Sequence, residues 1–144
     1  MIARTLVSAL FALAIASNAD PISSDTVVTC RRAALDLAGA WANDGFRLRD
    51  QPWSGTLPAG KPALARVNLL SGNRYWFTAA TNAASTTLTV QIYTERGAPV
   101  TAETHRDGPL AAAGFAPAVS GVYIIAISES GGTPVPFCLV HSYK

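Results

Sequence analysis

The chain has 144 residues, enough for one domain of ordinary size but not for two. Hydrophobic residues make up 49% and charged ones only 14%, so the composition supports a packed core and rules out a disordered tail. The formal net charge is +2 and Arg31-Arg32 is the one adjacent basic pair, which argues against nucleic-acid binding.

The first 19 residues read as a secretory signal peptide. Arg4 supplies a positive start and Leu6 to Ala16 an apolar stretch. Ser17-Asn18-Ala19 then places small residues before a cut expected after Ala19. The apolar run is about half of the ~20 residues that span a bilayer, so no membrane span is expected in the mature chain. The first cysteine, Cys30, lies well past the cut, so no lipid-anchor motif is expected either. These features predict a periplasmic or extracellular protein. Export makes a disulfide chemically possible, and Cys30 and Cys138 are the two cysteines. An intramolecular bond closing nearly the whole domain, with a chain-entropy gain of about 4–5 kcal/mol, is the preferred expectation. Two buried free thiols or an intermolecular bond are the alternatives. Two cysteines without CxxC spacing do not make a metal site.

Residues 20–45 form an N-terminal helical segment. Cys30, Ala34, Leu37 and Trp41 fall on one face of a 3.6-residue period, which predicts a helix over Val27–Ala42. Thr26 or Thr29 is the expected cap, and Asn43-Asp44-Gly45 the stop. Residues 46–144 then read as short strands between Gly, Pro and Asn turns. The expected strands are Phe46–Arg49, Trp53–Leu57, Leu64–Leu70, Arg74–Ala80, Thr86–Thr94, Val100–Thr104, Ala111–Phe115, Val122–Ser128 and Pro136–His141. Leu88, Val90 and Ile92 alternate with Thr87, Thr89, Gln91 and Tyr93, as on a half-buried strand. Val122 to Ile127 is apolar on both faces, which predicts a central strand or one covered outside, by the helix for instance. The fold class is therefore all-β, an antiparallel jelly-roll-like sandwich with one short N-terminal helix.

Four segments in order carry a resemblance. They are W-S-G-T-L-P-A-G (53–60), V-N-L-L-S-G-N-R-Y-W-F (67–77), T-L-T-V-Q-I-Y-T-E-R-G (87–97) and A-P-A-V-S-G-V-Y-I-I-A-I (116–127). Together they resemble the bacterial pre-peptidase C-terminal (PPC) domain and the related collagen-binding β-sandwiches. The resemblance implies a secreted, non-catalytic jelly-roll-like sandwich of a kind often appended to exported hydrolases. Some members bind calcium through acidic side chains, and others bind collagen or polysaccharide. Here Thr94 and Glu95 follow the "L-Y" strand, and Lys61 to Asn68 lacks the family's acids. Calcium is not expected, nor is any other metal or cofactor.

The polar run Glu103-Thr104-His105-Arg106-Asp107 would put Glu103, His105 and Asp107 on one face of a strand. Asp107-Gly108-Pro109 is a turn signal expected to end that strand after His105, leaving a solvated strand end rather than a metal site. No G-x-S-x-G elbow accompanies His105 or His141, and no pair of carboxylates stands in a catalytic context, so no enzyme is expected. The aromatics divide by period. Tyr75 and Phe77 point inward, and Trp76 points outward with Arg74. If the preceding strand pairs as a hairpin, Arg66 joins them, and with Tyr93 the four make a candidate ligand-binding platform. The competing reading covers Trp76 with the helix, whose Leu35, Leu37 and Trp41 need a partner. It is preferred, because an amphipathic helix must bury its apolar face. The expected function is an exported non-catalytic module binding a protein or glycan. The alternative is a structural or assembly component of a cell-envelope complex with no small ligand of its own.

Overall fold

A helix in this chain begins where a side chain can replace the missing backbone acceptors of its first turn. Ser23 does so, its Oγ accepting the Thr26 N–H at 3.2 Å. Helix α1 runs over Ser24–Ala42, with Asp25 in the first turn complementing the helix dipole. The cap therefore lies three residues ahead of Thr26, whose hydroxyl instead pairs with that of Ser23 at 2.8 Å. The helix ends as expected, and Gly45 makes the exit turn at φ 88°, a left-handed conformation that favours glycine. The computed structural model describes residues 22–144, so the expected signal peptide and its cleavage point lie outside the described residues. Among those residues no helix is long and apolar enough to cross a membrane.

Eight strands follow: β1 Arg47–Leu57, β2 Ala63–Leu69, β3 Tyr75–Ala80, β4 Leu88–Thr94, β5 Glu103–Asp107, β6 Leu110–Phe115, β7 Gly121–Glu129 and β8 Val135–Tyr143. They form an antiparallel five-stranded sheet, β1-β8-β3-β6-β5, and a three-stranded one, β2-β7-β4. Pairing 1 with 8, 2 with 7 and 3 with 6 is an eight-stranded ribbon folded back on itself, the jelly-roll arrangement. The fourth pair is split. Residues 98–100 run beside β4, where Val100 N–H donates to Ile92 O at 3.0 Å and Thr94 N–H to Ala98 O at 2.8 Å. The chain then crosses to the other sheet and continues as β5 beside β6.

The inner faces meet in one core. Tyr75 and Phe77 of β3 and Phe137 and Leu139 of β8 pack against Val90 and Ile92 of β4 and Ile125 and Ile127 of β7. Each large side chain contributes about 1.5–3 kcal/mol by leaving water. The inward tyrosine keeps its polar end satisfied, since Tyr75 Oη accepts from Leu70 N–H at 2.9 Å and Asn73 Nδ2 at 3.2 Å in the adjacent turn.

Three expectations are corrected. Phe46–Arg49 and Trp53–Leu57 belong to one strand, β1, which stays paired to β8 through a bulge between Arg49 and Trp53. The expected strand Val100–Thr104 is replaced by β5, which runs on to Asp107; Gly108, at φ 54°, takes the turn that was expected to end it sooner. β7 is central, the first of its two expected placements, and α1 lies on the other sheet, against β8 and β3. Cys30 and Cys138 are free thiols, both buried. They do meet under the helix, in a cluster with Ala34, Ala38, Ala80 and Val140. The small side chains at Cys30, Ala34 and Ala38, one turn apart, let the helix backbone approach the sheet closely, so packing rather than a covalent bond holds it there.

Burial pushes both thiols above their ordinary value near 9, and for Cys30 the neighbouring Cys138 adds to the effect. Neither should react with a thiol reagent in the folded protein, and both should react after unfolding without reductant, as counted by colorimetric titration. Their neutral forms contribute stability at neutral pH that is lost as pH rises past about 9 toward the higher folded values, so denaturant midpoints should fall across that window. A midpoint that stays level there would contradict the buried thiols.

Candidate functional site

The start of β3, the exit of α1 and the end of the chain converge at one corner of the five-stranded sheet. Arg74 and Lys144 are joined through their backbones, Arg74 N–H to Lys144 O at 2.8 Å and Lys144 N–H to Arg74 O at 2.9 Å. Lys144 Nζ donates to Asp44 O at 2.7 Å and lies 5.2 Å from the centre of the Phe46 ring, within cation–π range. Phe46 is buried with Trp76 and Ala112 against Leu37 and Trp41.

Trp76 is the pivot of this corner. It stands on the outer face of β3, opposite Gly114 on one side and Ser142 on the other. Trp41 of the helix stacks on it with ring centres 4.0 Å apart and planes 4° from parallel. Trp41 Nε1 donates to Thr78 Oγ1 at 3.3 Å, which fixes the orientation of the upper ring. On the sheet side the indole lies so close to Gly114 that a Cβ there would come within 2.8 Å of its six-membered ring. Trp76 is accordingly 8% exposed, and the preferred reading, a tryptophan covered by the protein's own helix, is what the structure has.

The four-residue platform does not assemble. β2 pairs with β7 and not with β3, so Arg66 lies on the other sheet from Arg74 and Trp76. Arg66 instead shares a row with Tyr93 across the outer face of the three-stranded sheet, with Ile124 of β7 between them. Its guanidinium meets the Glu95 carboxylate at 2.9 Å, both side chains well exposed, a pair worth about 0.2–1 kcal/mol. Tyr93 Oη donates to Gln91 Oε1. The hairpin expectation fails because β2 and β3 belong to opposite sheets.

Arg74 and Trp76 do border a cavity. Two adjoining hollows of about 340 and 360 Å3 share Phe46, Arg74, Trp76 and Glu103. Phe115 and Thr101 border one of them, and Asp44 and Lys144 the other. Glu103 belongs here because β5 places it opposite Gly114. The groove thus has the half-buried rings of Trp41 and Phe115 at its walls, with Phe46 and Trp76 buried beneath them, two cations (Arg74 and Lys144) and two anions (Asp44 and Glu103). Such a lining suits recognition of a neutral polar ligand by stacking and hydrogen bonds. His105 is exposed on β5, while His141 is on β8 with its ring 4.5 Å from that of Phe77, so neither histidine borders the groove. Among the described residues no three His, Cys, Asp or Glu side chains gather as metal ligands. Sequence reasoning missed Phe46, Asp44 and Lys144 as site residues. Phe46 directly after the glycine stop was the signal available for the first, and nothing local marks the other two. No protein-family model matches the chain, and a search of curated proteins returns no match.

Replacing Trp76 by Ala should cost about 3–5 kcal/mol, read as a lowered denaturant midpoint. The milder Gly114→Ala forces a methyl against the stacked indoles and should cost about 1–3 kcal/mol. If Gly114→Ala leaves stability unchanged, the indole does not lie where it is described.

Proposed function

We propose that this protein is an exported, non-catalytic β-sandwich module that binds a protein or glycan in the groove beside the end of α1. The observation that carries the reading is the pairing of the half-buried Phe115 ring with exposed charges of both signs, Arg74 and Glu103, around one hollow. Aromatic rings stack on the C–H faces of sugars or on peptide side chains, and paired donors and acceptors engage hydroxyls or amides. The jelly-roll strand order and the four PPC-like segments support a module of that type, with fold likeness as supporting analogy only. The sequence of the first 19 residues supports export to the periplasm or beyond.

A second reading, an assembly component of a cell-envelope complex, is favoured by a different surface. The outer face of the three-stranded sheet carries Leu64, 59% exposed, with Val122, Ile124 and Tyr93 half-buried around it and no element of the described chain covering them.

Trp76→Ala is a poor test because it removes core packing. Arg74→Ala and Glu103→Ala are surface changes and should leave the melting temperature within a few degrees. On glycan and peptide arrays the unaltered protein should bind a defined subset, and each variant should weaken that binding roughly tenfold or more. Binding that survives both changes but is lost with Leu64→Glu would move the site to the open sheet and favour the assembly reading.

A further inference from the structure

A second hollow opens on the inner side of the sandwich, away from the helix. β1 and β2 end their respective sheets, and the gap between them is bordered by the inward residues of both. Its origin is legible in the chain. β2 turns Ala63, Ala65 and Val67 toward the core, a row of small side chains where the neighbouring strand β7 offers Tyr123, Ile125 and Ile127. Opposite them β1 carries its bulge between Arg49 and Trp53, an irregularity that bends a strand and redirects the side chains after it. Small residues on one side and a displaced strand on the other leave unfilled volume at the edge of an otherwise close-packed core.

The hollow measures about 150 Å3 and is lined by Trp53, Ala65, Val67 and Phe77, with Gln51 and His141 as the polar side chains. Trp53 is 37% exposed, although its ring meets Phe137 edge to face at 4.9 Å. A partly exposed tryptophan over a fully buried phenylalanine makes a wall that is apolar at depth and open at the rim. A cavity of this volume with apolar lining is the size that admits one benzene ring. The surrounding rings favour edge-to-face or offset contact with an aromatic guest over an aliphatic one. Gln51 is exposed and offers both a donor and an acceptor to a polar substituent.

We propose that this cleft binds a single aromatic ring bearing one hydroxyl, of the phenol class, with the ring against Trp53, Ala65 and Val67 and the hydroxyl on the side of Gln51 and His141. The same chemistry comes from a free phenolic compound or from a tyrosine side chain of a peptide. The cleft shares no residue with the groove at Arg74 and Glu103, so the two sites stand or fall separately.

The test is an amide-proton NMR titration of the folded protein with p-cresol, toluene, cyclohexanol and N-acetyltyrosine amide. p-Cresol should shift the Trp53 indole N–H and the Val67 and His141 amides with a Kd of about 1 mM or tighter, leaving Arg74 and Glu103 unmoved. Toluene and cyclohexanol should bind at least roughly threefold more weakly, since each lacks one of the two recognised features. Comparable shifts with the tyrosine amide would assign the site to a peptide side chain, and shifts with p-cresol alone to a free phenol. Ala65→Leu, which fills the hollow with apolar volume, should abolish the shifts at unchanged or higher melting temperature. Should that variant fail to fold, the exposed Gln51→Ala should still erase the preference for p-cresol over toluene. No shift at Trp53 with any of the probes overturns the proposal, as does equal binding of p-cresol and cyclohexanol, or undiminished binding by folded Ala65→Leu.

Discussion

Trp41 lies flat on Trp76 at 4.0 Å, and Trp76 lies flat on a strand that must carry glycine at position 114 to receive it. That stack is where the helix is fastened to the sandwich, and much else depends on it. An aromatic pair of this kind adds about 0.5–1.5 kcal/mol to the area it buries. In the three turns before Trp41, Cys30, Ala34 and Ala38 continue the seam over Ala80, Cys138 and Val140. Without the helix these residues would form an exposed apolar patch on the five-stranded sheet, of the kind that drives association. The helix therefore completes the fold, serving as a third layer on one side only.

The one-sidedness decides which surfaces remain for recognition. The helix occupies the outer face of the larger sheet and leaves a groove where it ends, at Phe46, Arg74 and Glu103. The smaller sheet has no such cover, so β7 shows Val122 and Ile124 on a face that would otherwise be core. Between the sheets, close packing fails where β2 supplies alanines and β1 bulges. Each opening is a place where one layer does not match the extent of its neighbour.

Local pattern made most of the elements legible. The period of two in β4 and β3 placed Leu88, Val90, Ile92, Tyr75 and Phe77 inward, where they are buried. Glycines at the expected turns adopt positive φ at positions 60, 72, 97, 108 and 132, as only a residue without Cβ does readily. Errors arose where a local signal has two solutions. Ser23 and Thr26 are both competent caps, and Ser23 takes the role, its Oγ accepting the Thr26 N–H. The polar residues between Arg49 and Trp53 look like a turn, and they are a bulge because β8 pairs on both sides of them. Residues 98–107 look like one strand and one turn, and they divide because the first part finds β4 and the second β6.

The site was less legible than the fold for the same reason at longer range. Alternation along a strand determines which way each side chain faces, so the sequence alone established an all-β chain with one helix, an inward Tyr75 and Phe77, and an outward Trp76 in need of cover. Alternation says nothing about which strand lies alongside. Pairing β2 with β7 and β3 with β8 and β6 sent Arg66 and Tyr93 to one sheet and Arg74 and Trp76 to the other, and it brought Glu103, Phe46 and Lys144 beside Arg74. The two cysteines show the division most plainly. Their side chains meet under the helix, as the expected pairing required, yet whether they bond depends on the packing around the sulfurs, and there they remain separate thiols. Facing is a property of a few consecutive residues, while partnership is set by the whole chain closing on itself.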